Sequence, residues 1–176
     1  MEKASTRVIA AVSARLGLKI YSLDVCSAHL NAPLEEPEHM LMPKEFAMIL
    51  NLDLLRTPGL IFIIRVALYG MVQAALAWNK EYNRGIKAFV RGKHKFVSTD
   101  TDPCVHVLRM IDEGIMFVLG THVDDCLLAC NEDKLVQDFV NTLPWSVQDL
   151  GLVDSFLSIV YSQNVEQGTV EMNQKG

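Results

Sequence analysis

The sequence predicts an α+β domain built on an antiparallel sheet, and three observations carry that prediction. Gly114–Cys130, GIMFVLGTHVDDCLLAC, places apolar runs of strand length on either side of an acidic pair, as a β-hairpin does. Ala4–Leu16 and a segment running to about Val90 show instead the periodicity of amphipathic helices. No internal repeat, low-complexity stretch or Gly/Ser-rich linker divides the 176 residues, of which 50% are hydrophobic, so one domain with a real core is expected.

In chain order, Ala4–Leu16 carries Val8, Ile9, Val12 and Leu16 near one face; Ser5 or Thr6 is the expected cap, and Gly17 the stop. Leu18–Val25 alternates as a strand and places Asp24 at its C-terminal end, where it can reach a site or cap the short helical piece Cys26–Asn31. Ala32–Pro43 is loop-like, with three prolines and at most a brief strand at His39–Met42. Leu60–Ile64 is a candidate strand. The turn at Gly70 leads into a helix with Trp78, Tyr82, Ile86 and Phe89 on one face. Pro103–Met110 reads as a strand, Asp112-Glu113-Gly114 as a turn, and the hairpin follows. Glu132–Leu143 is a helix started by Asn131 and stopped before Pro144. Short alternating runs at Trp145–Val147, Phe156–Tyr161 and Thr169–Met172 predict peripheral strands packed beside the hairpin.

Bulk properties exclude several classes. Sixteen basic against 21 acidic residues, net −5, do not suit a surface that embraces a phosphate backbone throughout. The longest apolar run, Leu60–Val72, is interrupted by Arg65 and is too short to span a bilayer. The N-terminus lacks a signal-peptide core, so an intracellular protein of the cytoplasm or nucleus is expected, with no membrane partner. Cys26, Cys104, Cys126 and Cys130 form no CxxC pair and are expected as reduced thiols. Nothing in the sequence sets an oligomeric state.

Two constellations carry chemistry. Asp124 and Asp125 repel each other, and a hard divalent cation satisfies such a pair; the plain alternative is a hairpin tip facing water. With Asp24 brought beside them by strand pairing, three carboxylates suit two Mg²⁺ ions, or Mn²⁺, clamping a phosphoryl transfer. Lys80, Arg84, Lys87 and Arg91 form a basic stripe, either a contact for nucleic-acid phosphates or a solvated helix face.

Several blocks together resemble the reverse transcriptase domain of Ty1/copia-type LTR retrotransposons, from about Ser5 to Gln174. LDVCSAHLNAPLEEPEHMLMPKEF is similar to the family's first catalytic block, ALYGMVQAALAW to its Leu-Tyr-Gly-Leu-Lys-Gln block, and TDPCVHV to its Asp-Pro-Cys segment. THVDDCLLA resembles its Tyr-Val-Asp-Asp block, and VQDLGLVDSFLSI a later Asp-Leu-Gly segment. The resemblance implies a polymerase palm, an antiparallel sheet with helices on one side and a ferredoxin-like core, that extends a primer on an RNA or DNA template with deoxynucleoside triphosphates. It implies Asp24, Asp124 and Asp125 as catalytic metal ligands. Gln73, Val25 and His29 fall in its substrate-binding positions, His29 where a steric gate against the 2′-hydroxyl stands.

The chain also departs from the family. His122 replaces the tyrosine before Val-Asp-Asp, His29 the gate phenylalanine, and Ser158 a glycine; Val66, Val72, Ala75 and Leu76 stand where a lysine, a lysine, a proline and an arginine are expected. Lost cations weaken phosphate binding. The match starts after the fingers strands and stops before RNase H, so residues 1–176 are expected to be a palm fragment with incomplete fingers, lacking RNase H and integrase. An inactive remnant that at most binds nucleic acid or a protein partner is the alternative.

Overall fold

The computed structural model describes residues 1–52 and 59–174. In chain order the elements are α1 (Lys3–Leu16), β1 (Lys19–Val25), β2 (Pro33–Leu41), α2 (Lys44–Ile49), β3 (Ile61–Val66) and α3 (Ala74–Ala88). Then come β4 (Val90–Arg91), β5 (His94–Lys95), β6 (Val97–Ser98), β7 (Val105–Met110), β8 (Ile115–His122) and β9 (Asp125–Cys130). They end with α4 (Asp133–Thr142), β10 (Val147–Leu152), β11 (Ser155–Phe156), β12 (Ile159–Asn164) and β13 (Thr169–Gln174). The chain forms two compact units, Met1–Ala28 with Tyr82–Gly176, and His29–Glu81. Lys175 and Gly176, the end of the expected domain, lie outside the described residues.

The first unit is a six-stranded sheet in the order β10-β1-β9-β8-β7-β6, antiparallel at every described pairing. Its central strands are buried without alternation: Phe117–Thr121 of β8 and Cys126–Cys130 of β9 are all buried. Strands apolar on both faces need cover on both. Ile9 and Ala10 of α1 join Ile20, Val118, Leu127 and Ala129 on one face. On the other, Phe139 of α4 packs edge-on to Phe117 at 5.4 Å, and Tyr82 of α3 meets Cys126. The expectation of helices on one side is therefore corrected: α1 lies opposite α3 and α4.

The helix ends also differ from expectation. Gly17 caps α1 in the left-handed region (φ 63°), but Ser5 and Thr6 lie inside the helix. Asp102 serves the start of α1 instead, its Oδ2 accepting the Glu2 N–H at 2.9 Å and the Ser5 hydroxyl at 2.5 Å. Glu132, not Asn131, caps α4 by accepting the Lys134 N–H; Asn131 braces the hairpin, accepting from the Met116 N–H and donating to the Gly114 carbonyl.

The tail forms the expected peripheral strands, and Phe156 and Tyr161 share a core cluster with Val118, Leu127 and Ala129 of the hairpin, but none of these strands pairs with it. β10 joins the sheet next to β1, and β11-β12-β13 form a separate three-stranded sheet. Leu157 and Ser158 join β11 to β12 with φ 49° and 65°, the conformation a two-residue I′ hairpin demands and glycine favours. Ser158 thus holds a glycine-type backbone without a glycine.

In the second unit the proline-rich Ala32–Pro43 is not a loop: β2 pairs with β3 in an antiparallel ribbon whose register shifts between Pro33 and Glu38. Prolines 33 and 37 are tolerated because a two-stranded ribbon leaves each strand an edge. α2 had no expected counterpart. α3 begins at Ala74, after turns at Leu68–Gln73, and Trp78, Tyr82, Ile86 and Phe89 are all buried as expected.

Candidate active site

Strand register builds the acidic cluster. β1 lies beside β9 with Asp24 opposite Asp125, and β8 closes onto β9 with His122 opposite Asp125. Only Val123 and Asp124 are left to make the turn. Val123 takes φ 60°, a conformation costly for a β-branched residue, so the tip is strained where the acids project. The Asp124 carbonyl is fixed by the Val25 N–H at 3.0 Å, and the Cys26 N–H bonds the Ser146 carbonyl, also at 3.0 Å. Val25 is 1% exposed, so it acts here through its backbone.

Asp125 feels its surroundings most plainly. Burial first, then the charges of Asp124 and Asp24, push the Asp125 carboxyl above its ordinary value; neighbouring His122 opposes the rise. Among the described residues no three His, Cys, Asp or Glu side chains are gathered tightly enough to hold a metal ion. The donor chemistry nevertheless fits a hard cation: acid oxygens from β1, from β9 and from the β8–β9 turn, with Asp125 raised in part by the charges of the other two.

The remaining expected site residues divide between the two units. Gln73 and His29 belong to the second unit. Gln73 Nε2 donates to Glu38 Oε1 at 2.9 Å, and the His29 ring sits 4.5 Å from that of Tyr69, with both its nitrogens buried and, among the described residues, unpartnered. The basic stripe is partly neutralised: Lys80 bonds Glu35 at 2.6 Å, and Arg91 meets Asp138 at 3.3 Å. The hydrogen bond and charge of Lys80 hold the Glu35 carboxyl below its ordinary value. Arg91 lies in β4, beyond the end of α3, while Arg84 and Lys87 are exposed on the helix.

Sequence reasoning missed what lies under the acids. Tyr82, read only as a core residue, places its hydroxyl against Thr121 and Cys126, the register pair below His122 and Asp125. Its position on the apolar face of α3 carried no sign of a polar role.

The family described as reverse transcriptase (RNA-dependent DNA polymerase) matches residues 1–175. The chain is 27% identical over 157 residues to the Retrovirus-related Pol polyprotein from transposon TNT 1-94 of Nicotiana tabacum, covering 88% of this chain and 11% of that protein. It is 29% identical over 161 residues to the Retrovirus-related Pol polyprotein from transposon RE1 of Arabidopsis thaliana, covering 90% of this chain and 10% of that protein. The chain thus spans about a tenth of the length of these relatives. No solved structure matches it.

Proposed function

Because the chain belongs to the reverse transcriptase (RNA-dependent DNA polymerase) family, we propose that its acidic cluster is a nucleotidyl-transfer centre. It would add deoxynucleotides to a primer 3′-hydroxyl on an RNA or DNA template, within a retrotransposon polyprotein like those it resembles. The observation that carries this reading is the register that sets Asp24 opposite Asp125, with Asp124 in the adjoining two-residue loop.

Asp24, Asp124 and Asp125 would hold Mg²⁺, as two ions, or Mn²⁺. Such ions, when bound, supply positive charge to the attacking hydroxyl and to the triphosphate. The chain's own part is positioning. Two hydrogen-bonded strands fix the spacing of Asp24 and Asp125, and the Val25 N–H fixes the turn that carries Asp124. Rigid placement matters because this chemistry depends chiefly on orientation and preorganised charge. Gln73 and His29 would meet the incoming nucleotide, and the stripe of Lys80, Arg84, Lys87 and Arg91 would meet backbone phosphates. Among the described residues no helix is long and apolar enough to cross a membrane. An intracellular setting belongs to the same proposal.

The ion pairs that take up Lys80 and Arg91 favour a second reading, a non-catalytic remnant. Purified chain with primed RNA template, deoxynucleotides and Mg²⁺ separates the two. Extension by the wild type and none by Asp124→Asn is expected; no extension by either, with Mg²⁺ or Mn²⁺, would overturn the catalytic reading in favour of the remnant.

A further inference from the structure

Beneath the acid-bearing turn the core contains a polar chain that packing alone does not require. Thr121 of β8 and Cys126 of β9 are register partners one step below His122 and Asp125, and both are buried. From α3 the hydroxyl of Tyr82, itself 4% exposed, enters between them. The Thr121 hydroxyl donates to the Tyr82 oxygen. The Tyr82 oxygen lies 3.2 Å from Cys126 Sγ, and the Cys126 thiol donates to the Asp124 carbonyl at 3.7 Å. That carbonyl is the one the Val25 N–H holds from the other side. Since the thiol gives its proton to Asp124, its sulfur receives the Tyr82 proton, and the Tyr82 oxygen receives that of Thr121. One directional chain thus runs from the floor of the hairpin to the backbone of its tip.

Two further contacts fix Tyr82. Its ring stacks on Trp145 at 5.7 Å with planes 13° apart, and Trp145 fills a notch at Gly85 one turn further along α3, where any Cβ would overlap its ring. Trp145 directly precedes Ser146, whose carbonyl receives the Cys26 N–H two residues after Asp24. Tyr82 therefore braces both arms of the cluster: the hairpin through its hydroxyl, and the Asp24 strand end through its ring.

We propose that Tyr82 is a positioning residue for divalent-cation binding, its hydroxyl holding the strained Val123-Asp124 turn so that Asp124 and Asp125 stay aimed with Asp24. This rests on the reading of the three aspartates as metal ligands. A purely structural Tyr82 would behave differently, because replacing both partners of a buried hydrogen bond by apolar groups of the same shape is nearly neutral for stability. The Tyr82→Phe, Thr121→Val double variant separates the two roles: it keeps the packing and removes the links at the floor of the chain.

The test is calorimetric titration of the full chain with Mn²⁺ alone, alongside thermal unfolding and amide hydrogen exchange at residues 121–126. Tyr82→Phe is expected to weaken Mn²⁺ binding about tenfold, as loss of a group supporting metal ligands does. Thr121→Val is expected to do much the same, and the double variant no more than either single change, with stability close to wild type and faster exchange at the turn. Tyr161→Phe, which removes another buried phenol hydroxyl, is expected to bind Mn²⁺ as the wild type does. Unchanged Mn²⁺ affinity in Tyr82→Phe, or losses that simply follow unfolding temperature, would overturn the proposal alone. Wild type that binds no Mn²⁺, or binding that survives Asp125→Asn, would overturn the metal-site reading and the proposal with it. Mn²⁺ binding that depends on Tyr82 without primer extension would uphold the proposal while removing polymerase activity.

Discussion

At the scale of single residues, Asp102 shows how far a helix cap can come from. Its carboxylate receives the Glu2 N–H and the Ser5 hydroxyl from 100 and 97 residues away in sequence, and its Oδ1 takes the Cys104 N–H at 3.0 Å. Burial alone would raise this carboxyl; the hydrogen bonds from Ser5, Glu2 and Cys104 outweigh it and hold the group below its ordinary value. A depressed carboxyl stabilises the fold above its unfolded value and loses that contribution as pH falls through its folded value. Asp102→Asn is therefore expected to cost about 1 kcal/mol at neutral pH, as loss of a cap does, with the deficit closing under acid conditions. Thermal unfolding of both proteins from pH 7 down to pH 3 checks this; a deficit independent of pH would remove the charge from the explanation. No local pattern announces such a cap. Ser5 and Thr6 have the right chemistry and were expected to serve, but the partner that does serve is supplied by the loop before β7.

At the scale of elements, the legible parts were those whose signal is local. α1, β1, the β8–β9 hairpin and α4 were readable because periodicity and run length lie within each segment, and the Asp24–Asp125 pairing follows once β1 sits beside β9. β2 was not, since Pro33 and Pro37 argue against a strand until the ribbon is seen to leave both edges open. The polar chain under Asp124 was illegible for a different reason: Tyr82, Thr121 and Cys126 meet only through the packing of α3 on the sheet. The β11–β12 turn gives a test at this scale. Ser158 at φ 65° carries a left-handed penalty of about 1–2 kcal/mol, against about 0.5–1 kcal/mol of extra chain entropy that glycine must lose. Ser158→Gly is expected to stabilise the protein by about 0.5–1 kcal/mol, read as a rise in unfolding temperature. A fall would show that the serine side chain, not the backbone, governs the turn.

At the scale of the whole molecule, a net charge of −5 and a cluster of three acids pull in one direction. Removing one acid should relieve that repulsion, so Asp125→Asn is expected to be slightly more stable than wild type without metal, by less than about 1 kcal/mol at this half-exposed site. A cation bound only by the native state should reverse the order, adding about 2.7 kcal/mol to wild type at a hundred times Kd and nothing to the variant. Unfolding curves with and without Mg²⁺ check both signs, and an equal Mg²⁺ response in the two proteins would place the ion elsewhere. The sheet order has one more consequence, in the timing of synthesis. β1 is made before both of the strands it lies between, β9 and β10, so neither neighbour exists until the ribosome has passed residues 130 and 152. At ordinary elongation rates that interval is on the order of ten seconds. Throughout it Ile20, Leu23 and Val25 belong to a nascent strand with both edges open, so the segment bearing Asp24 is also the one longest exposed to mispairing or to capture by a chaperone.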